Sequence, residues 1–485
     1  MKSETYLGLD LGGTGAKAAV FDRAGKMLGF GRAAYTPDVP SAGWAETPLG
    51  AIHAAAREAV RTAVCTAPGT VRAMAISSQG QTFVALDESD RPLYPVIMWY
   101  DSRGVAQAEQ LSAKFAARNV GPVGMSTIAT ASKIVWLKES HPERMRRARR
   151  YLLLPDYFAY HLTGRAVMDE NTACSTGLYL EKLADFSLPA LEICGIVRGQ
   201  LAEIASPGSV IGHLLPDRAA DWGLTPETLL VVGTNDQYAG ALGAGNCRPG
   251  IVTVSFGTCL ALLTLTHDQN GRLSSGLFDG KFPIPGLRYR LAFAKTAGVL
   301  LDWFRRELGG NLSFDELNAA AQGVPPGSRG LTVCPHFDGR ISPSPDAAMH
   351  GALLHLTLQH TRSDIYRALL ESLAFCLREN LEMLERCDLP VEIVRVIGGG
   401  AGNDFWMQMQ ADITGRDIER PASSEAATLG AAMLAMAGAA GAGADLAEIS
   451  AGCFSIGRIF HPISAIAPAY DAAYKRYQAA MRYEG

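Results

Sequence analysis

The sequence has little of what marks a disulfide, zinc or nucleic-acid-binding protein. Its nine cysteines are scattered over 485 residues and form no C-x-x-C pair, which is typical of buried thiols in a reducing compartment. There is also no large excess of charge of either sign. A formal net charge of −4 with 19% charged residues gives no global field to attract a polyanion. We therefore expect a small-molecule partner, with no nucleic acid and no membrane.

The chain also has few long apolar runs. Residues 426–444 carry no charge, but most of them are alanine and glycine, which is too little hydrophobicity to drive membrane insertion. This stretch predicts a buried helix of small residues followed by a glycine-rich loop. The start, MKSE, runs directly into a predicted strand without the pattern of a signal peptide. The expected location is the cytoplasm.

Several common catalytic and nucleotide-binding motifs are missing. The sequence holds no complete G-x-G-x-x-G and no G-x-x-x-x-G-K-[ST], which argues against a Rossmann or P-loop nucleotide site. It has no G-x-S-x-G and no H-E-x-x-H, which argues against a serine hydrolase and a zinc protease. Any phosphate group must be bound by a different kind of turn.

Two similar turns are present, one in each half of the chain. Residues 9–17 (LDLGGTGAK) and 255–259 (SFGTC) both place a Gly-Thr pair between apolar strands. Glycine at a hairpin tip lets backbone N–H groups approach an anion, and threonine adds a hydroxyl donor. Only the first copy carries an acid, Asp10. The pair predicts a two-lobed protein that transfers phosphoryl groups.

The order of predicted elements repeats with these turns. Residues 5–35 predict an antiparallel meander, followed by a helix at 48–64 and a strand at 71–77. The pattern restarts with a strand at 229–233, and a Pro-Gly turn at 245–250 marks the domain boundary. The predicted domains are residues 1–247 and 248–485. In the second, helices are predicted at about 297–308, 313–322, 361–386, 403–415 and 423–438.

Two acids stand out by their position. Asp10 is the lone charge in an apolar strand, and a buried carboxylate needs a partner, most simply Mg²⁺ with ATP. Asp236 follows the strand 229–232 and begins a helix of small residues, where ligands of α/β domains collect. There it would act as the general base that takes a proton from an attacking hydroxyl. The structural alternatives are a turn aspartate and a helix N-cap.

Four further segments have the composition of ligand contacts. Gly398, Gly399 and Gly400 follow a predicted strand and precede a helix, which favours an adenosine pocket on bare backbone. Residues 78–82 (SQGQT) offer side-chain amides for sugar hydroxyls, and 99–103 (WYDSR) and 43–46 (GWAE) add aromatic faces beside charges. Taken singly, each of these last three is better explained by packing or a turn. Together, in the half of the chain that carries Asp10, they suggest a carbohydrate site.

Taken in order, these motifs resemble the FGGY carbohydrate kinases over nearly the whole chain. Matching segments also include 296–298 with Trp303, Gly339-Arg340 with Pro343, and 427–432. The resemblance implies an α/β fold of two actin/hexokinase-like (ribonuclease H-like) domains with a nucleotide cleft between them. It also implies ATP and Mg²⁺ as cofactors, and a homodimer is common in similar kinases.

The resemblance implies a role for each motif residue. It makes Asp236 the catalytic residue and Asp10 the carboxylate near the Mg²⁺ that accompanies ATP. The implied ATP-binding residues are Gly12, Gly13, Thr14, Lys17, Gly257, Thr258, Gly398, Gly399, Gly400 and Asn403. The implied sugar-binding residues are Gln79, Gly80, Gln81, Trp99, Asp101, Arg103, Asp236 and Gln237.

Within the family, the GWAE segment and the spacing are similar to xylulokinases. The sequence departs from them at residues 78–82, where xylulokinases usually carry Gly-Gln-Met-His-Gly and glycerol kinases Asn-Gln-Arg-Glu-Thr. His355 stands where the family often has glycine. The expected reaction is phosphorylation of a pentulose, D-xylulose to D-xylulose 5-phosphate. The alternatives are L-xylulose, ribulose, glycerol or gluconate as substrate, or an ATPase of the actin and heat-shock-protein type that modifies no sugar.

Overall fold

The structure is a computed structural model that describes residues 4–121, 128–268 and 274–481. It divides into two compact units. The first unit is Met1–Gly243 with Ala427–Cys453, and the second is Ala244–Ala426 with Phe454–Gly485. The boundary expected at 247/248 lies near the first crossing between units. It misses the returning segment Ala427–Cys453, which a division into two continuous pieces cannot represent.

The strands of the described residues are short except in the two main sheets. In chain order they are β1 Glu4–Leu11, β2 Gly15–Phe21, β3 Met27–Ala34, β4 Glu46–Thr47, β5 Thr70–Ser78, β6 Phe83–Leu86, β7 Val96–Ile97, β8 Arg150–Leu153, β9 Val167–Asp169, β10 Tyr179–Leu180, β11 Asp185–Phe186, β12 Glu203–Ala205, β13 Val210–His213, β14 Leu229–Asn235, β15 Gly250–Phe256, β16 Leu260–Thr266, β17 Leu277–Lys281, β18 Arg288–Ala294, β19 Thr332–Cys334, β20 Ala352–Leu354, β21 Val391–Ile397, β22 Ile418–Pro421 and β23 Ile456–Phe460.

Helices are distributed over both units. In chain order they are α1 Leu49–Thr66, α2 Val105–Arg118, α3 Thr130–Ser140, α4 Pro142–Met145, α5 Leu154–Thr163, α6 Glu170–Ala173, α7 Leu188–Cys194, α8 Pro216–Trp222, α9 Asp236–Gly243, α10 Gly298–Glu307, α11 Phe314–Gln322, α12 Arg362–Arg386, α13 Asp404–Thr414, α14 Ala426–Ala440, α15 Leu446–Cys453 and α16 Ala467–Ala480. The five helices expected in the second half of the sequence are confirmed as α10 to α14, with ends shifted by up to three residues.

The first unit is built on the sheet β13-β14-β5-β1-β2-β3. Strands β1, β2 and β3 pair antiparallel, which confirms the predicted meander, whereas β5 pairs parallel to both β1 and β14. Helix α1 packs closely on β3 because Gly29 and Gly31 have no side chain. A Cβ on Gly29 would lie 2.2 Å from the Ala63 carbonyl oxygen, and one on Gly31 2.1 Å from that of Ala59. Because β1, β5 and β14 run parallel to one another, their carboxyl ends share one edge of the sheet.

The second unit repeats this arrangement in the sheet β17-β18-β16-β15-β21-β22-β23. Its strand β15 pairs antiparallel with β16 and parallel with β21, as β1 does with β2 and β5. Helix α12 packs behind this sheet with most of its 25 residues buried. The repeat explains why the same Gly-Thr turn follows both β1 and β15.

Helix α14 confirms the predicted buried helix of small residues and packs within the first unit. A Cβ on Gly8 of β1 would lie 1.8 Å from the Thr428 carbonyl oxygen, and one on Gly430 1.8 Å from that of Ala239. Contacts this close require glycine. Over the described ranges, no helix combines the length and apolarity needed to cross a bilayer.

Two smaller expectations also bear on the fold. All nine cysteines are free, and the expectation of buried thiols holds for five of them, since Cys65 is exposed and Cys174, Cys247 and Cys259 are half-buried. His355 adopts a left-handed backbone with φ of 66°, the region that glycine occupies without strain. This conformation gives a physical reason for glycine to be favoured at that position.

Candidate active site

Asp10 and Asp236 lie at the shared edge of the first unit's sheet. Asp10 is the penultimate residue of β1, and Asp236 follows β14 as the first residue of α9. Strand β5 lies between them, with Ser77 paired to Asp10 on one side and to Thr234 on the other. The Ser77 hydroxyl donates to Asp10 Oδ1 at 3.0 Å. Two acids that are far apart in sequence are thus brought to the ends of two strands that are separated by β5 alone.

The environment of Asp236 changes its acidity. Burial, and second to it the negative charge of Asp10, raise the pKa of the Asp236 carboxyl from 3.8 to about 7. The Gln237 backbone N–H donates to Asp236 Oδ1 at 2.8 Å, which opposes this shift and orients the carboxyl. A carboxyl with a pKa near neutrality is suited to accept a proton and release it in each turnover.

The first Gly-Thr turn is held by the side chains of two residues that directly follow strands, Tyr35 after β3 and Gln79 after β5. The Tyr35 hydroxyl donates to the Gly12 carbonyl oxygen, and Gln79 Nε2 donates to the same oxygen at 3.1 Å. Thr14 is exposed at the tip of the turn. Lys17 is also exposed and lies directly opposite Asp10 in the β1–β2 ladder. Burial and the charge of Asp10 raise the pKa of Tyr35, so its hydroxyl remains a donor.

The segment after β5 places amide groups beside this turn. Gln79 is buried, and its Oε1 has no hydrogen-bond partner among the described residues. This oxygen lies 3.6 Å from where a Cβ on Gly13 would be. A Cβ on Gly80 would lie 3.1 Å from Asn235 Nδ2, so β5 and β14 come close here. Gln81 follows with a left-handed φ of 58°. An unpaired buried acceptor is what a ligand hydroxyl can satisfy.

The turn at residues 99–103 separates exposed rings from buried charges. Trp99 is half-buried and Tyr100 is exposed, with ring centroids 5.5 Å apart. The side chains of Asp101 and Arg103 are fully buried and form an ion pair at 2.7 Å. Arg103 also pairs with Glu46, and the Ala45 backbone N–H donates to Asp101 Oδ2 at 2.6 Å.

The buried pair changes how two of the expected sugar contacts are interpreted. The Arg103 guanidinium lies over the indole rings of Trp44 and Trp136, 4.2 and 5.0 Å from their centroids, and the two rings meet edge to face. In this arrangement neither Asp101 nor Arg103 presents a side-chain atom to a ligand. Their charges are used inside the protein, where they join the 43–46 loop to the turn that carries Trp99. The expectation of direct sugar contact does not fit these two residues.

Lys133 is a residue that the sequence reasoning missed. It lies on α3 with its side chain fully buried, and its Nζ donates to the Met98 and Trp99 carbonyl oxygens at 2.8 and 2.7 Å. Burial lowers its pKa to about 7. The only sign of it in the sequence was a lysine beside the apolar residues Ile134 to Leu137. A lysine at such a position usually lies on the solvated face of a helix, so the sequence did not indicate its burial. These two hydrogen bonds from Lys133 hold the backbone of the turn that carries the Trp99 and Tyr100 rings.

The second Gly-Thr turn is braced by the start of α10. The Gly298 N–H donates to the Gly257 carbonyl oxygen at 3.0 Å, and the Val299 N–H to that of Thr258 at 3.2 Å. A Cβ on Gly298 would lie only 2.5 Å from the Gly257 carbonyl oxygen. Gly257 and Thr258 themselves remain exposed.

A cavity of about 900 Å³ in the second unit joins this turn to the triple glycine. Its lining includes Phe256, Gly257, Phe314, Tyr366, Gly400 and Asn403. Gly398 has a left-handed φ of 87° and lies against Phe256, where a Cβ would be 2.7 Å from the carbonyl oxygen. Asn403 caps α13 by accepting from the Phe405 and Trp406 N–H groups. Aromatic walls with a few polar groups match a site for a nucleoside.

The carboxylates of the first unit also bear on the expected magnesium ion. Among the residues that the structure describes, no group of three or more His, Cys, Asp or Glu side chains is placed to hold a metal. Asp10 and Asp236 offer hard oxygen ligands, and Mg²⁺ is commonly held by one or two carboxylates together with substrate phosphates and water. The residues present therefore fit an ion that arrives with a nucleotide.

Comparison with known proteins decides the family. The model of the FGGY family of carbohydrate kinases, N-terminal domain, matches residues 5–243, and that of the C-terminal domain matches residues 252–439. The chain belongs to the FGGY family of carbohydrate kinases. Its two-unit α/β fold is that of FGGY kinase structures. A xyloylose kinase from Brucella ovis superposes with a TM-score of 0.86 at 28% identity and covers 98% of each chain.

Curated relatives of comparable similarity to this FGGY kinase carry different substrate names. A xylulose kinase from Haemophilus influenzae is 29% identical over 89% of this chain and 90% of its own. A gluconokinase from Bacillus subtilis is also 29% identical, over 89% of this chain and 86% of its own. The resemblance found in the motifs is thus confirmed at the level of the family. The two names leave the substrate to be argued from the site.

Proposed function

We propose that this FGGY kinase transfers the γ-phosphate of ATP to a hydroxyl of a pentulose, with D-xylulose as substrate. The observation that carries the proposal is the pair of strand-end carboxylates, in which burial and Asp10 raise the pKa of Asp236 to about 7. In its ionised form Asp236 takes the proton of the attacking hydroxyl, a contribution of roughly 10²–10⁴ in rate. Gln237 keeps the carboxyl oriented for that transfer.

The neighbouring segments supply contacts for the acceptor sugar. Gln79 Oε1 is a buried acceptor without a protein partner, so a sugar hydroxyl can donate to it. Gln81 and the rings of Trp99 and Tyr100 are accessible and offer amide and apolar contacts. Asp101, Arg103 and Lys133 act indirectly, since they hold the turn that carries those rings. In this proposal Asp101 and Arg103 support the sugar site from behind and make none of the direct sugar contacts that were expected of them.

The second unit supplies the groups for the nucleotide. The cavity between Phe256, Phe314 and Tyr366 is wide enough for a nucleoside, and Gly399 and Gly400 leave its backbone bare. Gly257 and Thr258 of this unit offer N–H and hydroxyl donors to phosphates. In the first unit, donors of the same kind are offered by Gly12, Gly13, Thr14 and Lys17. Mg²⁺ held near Asp10 would neutralise charge on the transferred phosphoryl group.

The charge of the substrate segments favours a neutral ketose over an aldonate. Gluconate carries a carboxylate, which calls for an accessible cation at its site. In the described part of residues 78–140, the cations nearest the Trp99 turn are Arg103 and Lys133. Both are buried, Arg103 against Asp101 and Glu46 and Lys133 against two backbone carbonyls. Neither is available to a substrate carboxylate, and the exposed Lys17 is assigned to the phosphates, so these segments favour a neutral substrate over gluconate.

A coupled ADP-release assay tests this proposal. The purified protein is given ATP and Mg²⁺ with D-xylulose, L-xylulose, D-ribulose, L-ribulose, glycerol or gluconate in turn. We expect kcat/KM for D-xylulose to exceed that for glycerol and gluconate. Gluconate as the best substrate would refute the pentulose assignment, and ADP release that no sugar changes would instead identify an ATPase that modifies no sugar.

A further inference from the structure

The position of Asp236 depends on a strand that is irregular just before it. The β14–β5 pairing shifts register between Val231 and Thr234. At the irregularity, Gly233 lies so close to β5 that a Cβ would be 1.8 Å from the Ile76 carbonyl oxygen. The regular ladder up to Val231 therefore does not by itself determine where the strand continues. Pairing with β5 resumes at Thr234 and Asn235, and contacts outside the ladder can then contribute to the position of the segment from Thr234 to Asp236.

Thr234 is fixed by a buried side-chain contact from outside the sheet. It is 3% exposed, and its hydroxyl donates to Asp169 Oδ1 at 3.2 Å. Asp169 is 5% exposed and ends β9. The contact is made two residues before Asp236, at the position where pairing with Ser77 resumes.

Asp169 is itself held in place by a second set of bonds. The same Oδ1 accepts from the N–H groups of Asn171 and Thr172, so Asp169 is the N-cap of α6. Strand β9, which carries it, pairs parallel with β12. An acceptor with three donors on one oxygen cannot shift without losing several bonds at once. Because Asp169 is held in place, its hydrogen bond to Thr234 restrains the position of the end of β14.

We propose that Asp169 is a positioning residue for phosphoryl transfer, which acts through the Thr234 hydroxyl to set the end of β14 so that Asp236 faces Asp10. Ser77 completes the arrangement, since it pairs with Thr234 and donates to Asp10. The sequence gives no hint of this role, because Asp169 reads as an ordinary helix cap. The inference rests on the proposed role of Asp236 as the base.

Two substitutions at Thr234 test the inference. Thr234→Ser keeps the hydroxyl and Thr234→Val removes it at nearly constant volume. With D-xylulose as the probe, or the sugar of the panel with the highest rate, we expect Thr234→Val to lower kcat about tenfold or more, since displacement of a reacting group by about 1 Å can cost 10²-fold. The KM for ATP should stay within about twofold of wild type, and Thr234→Ser should restore kcat.

Variants of Asp169, and a control variant at the N-cap of another helix, complete the test. Asp169→Asn keeps an oxygen acceptor and should retain most of kcat, whereas Asp169→Ala should lose it. The Asp169→Ala/Thr234→Val double variant should be no slower than the slower single variant, because both remove the same bond. Ser187→Ala, which removes the N-cap of α7, should lower the melting temperature and leave kcat unchanged.

The outcomes separate this inference from the proposed function. Wild-type kcat in Thr234→Val, or an equal loss in Thr234→Ser, would overturn the positioning role even if Asp169→Ala does not fold. Asp236→Asn is measured in the same series. If Asp236→Asn is inactive while Thr234→Val is normal, only the positioning role fails; if Asp236→Asn is active, the proposed base is wrong.

Discussion

At the scale of single residues, the proposed phosphoryl transfer depends on the ionisation of Asp236. Its pKa of about 7 has two causes, of which burial is the larger and the charge of Asp10 the smaller. A base with this pKa is active only when ionised, so turnover should rise as the pH is raised through about 7. The raised pKa of Asp236 must also make the free energy of unfolding depend on pH, because the pKa differs between the folded and the unfolded protein.

We predict that Asp236→Asn is more stable than wild type at pH 8. The folded-state pKa of Asp236 lies above its ordinary value of 3.8, so the folded protein binds the proton more tightly than the unfolded chain. Wild-type stability relative to the variant should therefore fall as the pH rises from about 4 to about 7, and level off above that. Melting temperatures of both proteins from pH 5 to pH 8 measure this gap. A gap that stays constant with pH would show that the pKa of Asp236 is not raised.

Residue patterns in the sequence located some site residues and not others. Asp236 could be predicted because an acid after a buried strand and before small residues is a local pattern. The burial of Asp101 and Arg103 could not, because their spacing says nothing about which side of the turn faces inward. That choice is made by Trp44, Trp136 and Glu46, which the sequence does not place beside them.

At the scale of elements, close helix packing through glycine supports the first unit. We predict that Gly430→Ala lowers the melting temperature by several degrees, since its Cβ would lie 1.8 Å from the Ala239 carbonyl oxygen and overpacking costs about 1–3 kcal/mol or more. Gly452→Ala is the matched control, because it lies in α15 with nothing within 4 Å of its Cβ. The control should be neutral or stabilising. Equal melting temperatures for the two variants would contradict the packing of α14.

The triple glycine should matter to the nucleotide rather than to the sugar. A Cβ on Gly400 would lie 2.6 Å from the Trp406 ring and 2.8 Å from Phe256 Cβ, at the wall of the cavity. We predict that Gly400→Ala raises the KM for ATP about tenfold and leaves the KM for the sugar within about twofold. Gly323→Ala, at the end of α11 where a Cβ has room, is the control with normal kinetics. A change in the sugar KM alone would argue that the cavity does not hold the nucleotide.

The same elements show where sequence reasoning stops. Helices α10 to α13 carry capping residues or apolar faces that mark them in the sequence, as Ser313 and Thr361 do for α11 and α12. Helix α14 has no polar face, so its helical structure was predictable but its partner was not. Its contacts in the structure, such as those of Thr428 with Gly8 and of Gly430 with Ala239, show that it belongs to the first unit.

At the scale of the whole molecule, the two units share one strand arrangement but carry different side chains at their Gly-Thr turns. Both sheets place an antiparallel hairpin beside a parallel strand, and both hairpins end in a Gly-Thr turn. The first copy carries the paired acids and the amides that we propose to bind the acceptor, and the second carries the cavity that we propose to bind the nucleoside. The repeat was readable in the sequence because its turns are short and similar. The chemistry differs because residues outside the repeat, such as Gln79 and Phe314, differ.

The most direct test of the account compares Asp236→Asn with wild type for ATP binding and for sugar-dependent ADP release. Asp221→Asn is the matched control, since Asp221 is a half-exposed acid that pairs with Arg57. We predict that Asp236→Asn binds ATP with wild-type affinity and loses ADP release with D-xylulose by roughly 10²–10⁴, while Asp221→Asn is normal in both. Turnover of D-xylulose by Asp236→Asn at the wild-type rate would contradict the account.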